Sequence, residues 1–97
     1  PDCPRKAPKG FLGAYRETTL RFGPLTLEKR LLPLKEGFRV VLLLRSQEPL
    51  EDLTVRDPQP DGTEKTFPFA LFSGEEVLEY ALEEPYMSDP EVRWRYP

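Results

Sequence analysis

Few side chains in this 97-residue sequence are suited to chemistry. It contains no His, so the commonest general base and the usual metal-binding nitrogen are both missing. The one cysteine, Cys3, lies in a proline-rich arm without a base partner, which argues against thiol catalysis and leaves no internal disulfide to form. Lipid anchoring at Cys3 needs small and apolar residues just before it, and Pro1-Asp2 does not supply them, so an inert thiol is expected. One Cys without His cannot close a tetrahedral zinc site. Asp52, Asp57 and Asp61 fall near loop ends, where calcium could gather carboxylates. They lack a dense Asp-x-Asp spacing, however, and Asp57 and Asp61 read as turn residues. Glu75-Glu76 and Glu83-Glu84 could in principle do acid–base work, but charged runs beside a strand usually form a solvated edge that discourages aggregation. The expectation is therefore no catalytic residue, no metal and no cofactor.

For binding, the notable run is Arg93-Trp94-Arg95-Tyr96, with Tyr80, Tyr86 and Met87 as candidate neighbours. Aromatic rings interleaved with arginines can form a hot spot for protein or carbohydrate. The competing reading makes Val92, Trp94 and Tyr96 the inner face of a last strand, with the arginines reaching outward, and this is preferred. The net charge of −3 offers no basic field for phosphates, so no nucleic acid partner is expected. The longest apolar run, Val40 to Leu44, is far short of the roughly 18–20 residues that cross a bilayer. A start at Pro1 rather than Met reads as a processed or trimmed piece of a longer chain. Absence of Asn, scarcity of Met and Cys, and abundant charge and proline fit a thermophile's protein.

These residues must be positioned by short strands. Residues 1–10 read as an extended Pro-rich leader, and residues 11–97 as one domain. Thr18, Leu20 and Phe22 alternate with polar residues up to Gly23-Pro24. Leu25 and Leu27 then begin a segment that Pro33 ends. After the Lys35-Glu36-Gly37 turn, Phe38, Val40, Leu42 and Leu44 share one face of the most strand-like stretch. Leu53 and Val55 point inward in the next segment, and the run from Asp57 to Gly62 is a dense turn. Phe67, Phe69 and Leu71 form the following inner face, with Pro68 marking an edge strand or the start of pairing. Residues 74–84 are ambiguous. Ser73-Gly74-Glu75-Glu76 resembles a helix capping box, yet Leu78, Tyr80 and Leu82 also fit period two. A strand there completes a seven-strand sandwich, whereas a helix would make the domain α+β. A last strand spans residues 91–96.

The order Leu27-Glu28-Lys29, Pro33-Leu34-Lys35-Glu36-Gly37, Phe38 to Leu44, Pro49 to Asp57, Pro60-Asp61-Gly62 and Ser73 to Val77 resembles the conserved immunoglobulin-like repeat of bacterial and archaeal surface proteins, a family of unknown function. Arg45-Ser46-Gln47 departs from the Asn usual after the long strand, and the insert from Pro85 to Pro90 is longer than usual. The β-sandwich portion of certain membrane-anchored proteins has a similar rhythm. Both resemblances imply an all-β, immunoglobulin-like sandwich of about seven strands in a cell-envelope or secreted protein. They imply a structural, spacer or assembly module, whose partners would be other domains of the same or a neighbouring envelope protein. The alternative is a protein- or carbohydrate-binding domain using an aromatic patch or an edge strand. Some surface-protein sandwiches also carry an internal Lys–Asn or Lys–Asp amide, and Lys29 with Asp57 is the pair that such a resemblance singles out.

Overall fold

Alternation of apolar and polar side chains sends every second residue to one face of a strand, and nearly all of the chain described obeys that rule. The computed structural model describes residues 16–95, and the described residues form strands without a helix. The Pro-rich leader, Cys3 and Tyr96 lie outside them. The strands are β1 (Arg16–Phe22), β2 (Leu25–Pro33), β3 (Phe38–Pro58), β4 (Glu64–Leu82) and β5 (Glu91–Arg95). All pairings are antiparallel in one sheet, ordered β1-β2-β3-β4, with β5 also on β3.

The long strand β3 organises the fold. Its first half, Phe38 to Ser46, pairs with β2 on one side and with residues 74–82 of β4 on the other. Its second half, from Leu50 onward, pairs with residues 64–72 of β4, while β5 takes the opposite side. Between the halves the register slips, because three residues (Gln47, Glu48 and Pro49) stand against the single Ser73. The Ser46 hydroxyl holds this bulge, donating to the Glu48 carbonyl at 2.5 Å and accepting from the Glu48 amide at 3.2 Å. A bulge of this kind bends its strand and sharpens the local twist.

The bend is large. Lys29 of β2 is the register partner of Leu42, yet its Nζ lies 2.6 Å from Oδ1 of Asp57 near the far end of β3. A straight strand would separate positions 42 and 57 by about 50 Å, so β3 must turn back on itself. The core draws accordingly on both halves. Leu25, Leu27 and Leu31 of β2 and Val40, Leu42 and Leu44 of β3 are buried with Leu50, Leu53, Val55 and Phe72.

The alternation expected for Phe38 to Leu44 and for Leu53 and Val55 holds, with the even-numbered residues from Val40 to Leu44 fully buried. Residues 74–82, where helix and strand competed, are strand, and Leu78, Tyr80 and Leu82 lie on the partly covered face. Two expectations fail. Asp57, read as a turn residue, is instead a fully buried residue near the end of β3, held there by its pairing with Lys29. Leu71 does not continue the Phe67–Phe69 face: it is 64% exposed, and Phe72 is buried instead. The phase flips on both strands together, since Glu51 and Asp52 of β3 and Ala70 and Leu71 of β4 are all exposed. Asp52 carries the backbone cause, a left-handed φ of 53° that a short polar residue tolerates. Phe69 and Phe72 brace the corner edge to face, 5.3 Å apart. Pro68 sits on β4, which pairs only with β3 among the described strands, the edge setting in which a residue without an N–H is tolerated.

Candidate functional site

Inside the bend is a buried polar cluster assembled from residues distant in sequence. Leu25, Leu27 and Leu31 share the inner face of β2, and period two places Lys29 on that face as well. Its side chain is completely buried, as is that of Asp57, and the two form an ion pair at 2.6 Å. The Lys29 ammonium also donates to the Ser88 carbonyl at 2.8 Å, in the segment leading into β5. The other oxygen of Asp57, Oδ2, accepts a hydrogen bond from the Tyr80 hydroxyl of β4. Gln59, nearly buried in the turn after β3, donates Nε2 to the Tyr80 oxygen at 3.1 Å and to the Asp57 carbonyl at 3.0 Å.

The cluster has a defined direction of donation. Because the Tyr80 oxygen accepts from Gln59, its own hydrogen is directed to Asp57. Burial first, and then the hydrogen bond to Asp57, raise the Tyr80 pKa well above the ordinary phenol range, so it remains a donor. Lys65 lies over the outer side of the ring, its Nζ 5.2 Å from the centroid.

The sequence-predicted residues do not gather in one place. Asp52, Asp57 and Asp61 each serve a different partner. Asp52 pairs with Arg95 at the surface, and Asp57 with Lys29 and Tyr80 in the interior. Asp61 accepts from the hydroxyl and the amide of Thr63 in an exposed turn, and the hydroxyl bond is the main reason its pKa is lowered. Among the described residues, no group of three or more Asp, Glu, Cys or His side chains is placed to hold a metal ion. Glu75 pairs with Arg45 across the strands at 2.8 Å, while Glu76, Glu83 and Glu84 are exposed.

The aromatic candidates divide in the same way. Trp94 is partly buried against the core, and a Cβ on Gly23 would come within 3.7 Å of its ring. That places Trp94 by the β1–β2 turn, at the Ser46 end of β3. Tyr80 is opposite Val40, about 20 Å further along the strand, and faces inward to Asp57. Tyr86 is half-buried, while Arg93 and Arg95 are exposed, Arg95 bridging to Glu51 at 3.3 Å. Tyr96 falls outside the described residues.

Sequence reasoning paired Lys29 with Asp57 but missed Gln59 and the Ser88 carbonyl. Gln59 had one readable signal, a polar residue two positions beyond Asp57 on the same strand phase. Nothing in the sequence marks the Ser88 carbonyl. No helix among the described residues is long and apolar enough to cross a membrane, which does not bear on spans made of strands. Compared with known protein families, curated proteins and solved structures, the chain matches none.

Proposed function

We propose that this chain is a non-enzymatic structural module, a spacer or assembly element of a cell-envelope or secreted protein, folded as an immunoglobulin-like sandwich. Bending β3 and β4 at their corner divides each into two segments. Counted with β1, β2 and β5, those segments support the reading as a seven-segment, two-layer sandwich, β1-β2-β3-β4 over β5-β3-β4. The observation that carries the functional reading is the use made of the reactive groups. Lys29, Asp57 and Tyr80 face one another in the interior and tie β2, the end of β3, β4 and the segment before β5 into one unit. Groups used this way serve rigidity rather than a ligand.

Exchanging the module within its parent protein for an unrelated sandwich of equal length tests the reading. A spacer's role survives the exchange, and the parent should be recovered from the envelope or the medium on cell fractionation. Loss of the parent's function with its abundance unchanged would favour the second reading, a binding domain. The outer edge of β4 favours that alternative, because it pairs with no described strand and exposes Leu71 and Val77.

A further inference from the structure

We propose that Asp61-Gly62, in the turn between β3 and β4, is a site of spontaneous aspartyl isomerisation that Thr63 and Gln59 hold in check, and that the modification reaches the buried cluster through Gln59. Both residues of the pair are exposed, and the space that a Cβ on Gly62 would occupy is open, so nothing there shields the Gly62 nitrogen from the neighbouring carboxyl. In the reaction that nitrogen attacks Cγ of Asp61. A C–N bond forms, a Cγ–O bond breaks, and the carboxyl hydroxyl leaves as water with the amide proton. Water then opens the succinimide ring. Attack at Cγ restores aspartate, whereas attack at the main-chain carbonyl carbon leaves Gly62 joined through Cγ as an isoaspartyl link. The water lost is regained, with no change of oxidation state.

Each reacting group is occupied in the folded turn. The Gly62 N–H donates to the Gln59 carbonyl at 3.0 Å. Oδ1 of Asp61 accepts from the Thr63 hydroxyl at 2.6 Å and from the Thr63 amide at 2.9 Å. The hydroxyl first, and then the amide, hold the carboxyl below its ordinary pKa and keep it ionised. A carboxylate must gain a proton before its oxygen can depart as water, so the reaction waits on opening of the turn. The product cannot keep the same bonds. An isoaspartyl link adds a main-chain carbon inside a loop closed by two hydrogen bonds, Gly62 to the Gln59 carbonyl and Gln59 to the Thr63 carbonyl at 2.8 Å. Gln59 also holds the Tyr80 hydroxyl at 3.1 Å, so displacing it disturbs the group that donates to Asp57.

Incubation of the full chain at neutral pH, followed by tryptic digestion, tests the site through the peptide of residues 57–65. Its isoaspartyl form has an unchanged mass and separates by chromatography. The folded chain should convert at least about tenfold more slowly than the same peptide free in solution, and Thr63→Val should recover roughly tenfold of that rate, as expected for loss of one hydrogen bond to a carboxylate. Thr63→Ser keeps the hydroxyl and should stay as slow as the native sequence. Conversion of the native chain as fast as the free peptide overturns the proposal. So does a Thr63→Val variant no faster than the native chain. The coupling has a separate readout. The isolated isoaspartyl chain should unfold at lower urea than the unmodified one, and the loss should shrink in Tyr80→Phe, where Gln59 has no hydroxyl to hold. An equal loss in both backgrounds would confine the damage to the turn and overturn the link to the cluster.

Discussion

A lysine and an aspartate sealed together in an apolar interior are each intolerable alone. Lys29→Met leaves Asp57 buried beside Tyr80 without its cation, and should lower unfolding free energy in urea by about 3–5 kcal/mol. Lys29→Met combined with Asp57→Leu removes both charges, and stability should return most of the way because apolar replacement of a buried pair is often close to neutral. A double variant as weak as the single one would show that the surrounding polar groups depend on the pair. Tyr80 has its own signature. Its folded-state pKa lies above the 10.0 of an exposed phenol, so the folded protein holds that proton while the unfolded chain releases it. The contribution to stability is complete below pH 10.0 and declines as pH rises further. Denaturation midpoints measured across that alkaline limb should fall for the native sequence, and fall less for Tyr80→Phe. The cluster was partly legible in advance. Spacing in β2 puts Lys29 on the Leu25–Leu27–Leu31 face, but only the bend brings Asp57 to it, and bends of this kind depend on a register slip that composition does not show.

At the level of elements, the corner and the turns decide the shape. The sequence displayed the strands by alternation but not that pairs of them are continuous, because Gln47 to Pro49 and Ser73-Gly74 have the composition of ordinary loops. The Leu71–Phe72 inversion was illegible for a related reason: a left-handed Asp52 on the facing strand changes the phase, and no residue of β4 announces it. Glycine turns differ in what they tolerate. Gly37 has φ 86°, and a Cβ there would lie 2.7 Å from the Leu82 carbonyl oxygen, whereas Gly62, at φ 91°, faces open space. Gly62→Ala should therefore cost about 1–3 kcal/mol of backbone strain, and Gly37→Ala distinctly more, as read from thermal midpoints. Leu53→Ala, which removes a fully buried side chain beside the corner, should cost about 2–5 kcal/mol.

At the scale of the molecule, the sides of β1, β4 and β5 that pair with no described strand are where a sheet protein is vulnerable to pairing with its own copies. Charge and proline guard the longest of them, since Glu75, Glu76 and Glu79 line one end of β4 and Pro68 interrupts the other. Pro68→Thr removes the proline that interrupts this edge strand, and light scattering should show more concentration-dependent association without a loss of fold. The bent hairpin also has a kinetic meaning. β3 and β4 are joined by a turn closed by Gln59 and Thr63, so their pairing can zip outward from a short loop. The contact from Lys29 to Ser88 spans 59 positions and closes only after that hairpin stands against β2 and the segment before β5. Changes at Lys29 should then act mainly on the rate of opening and leave the rate of folding nearly as it was. The interior tie is in that sense a lock set after assembly, and its worth is measured in how long the fold persists.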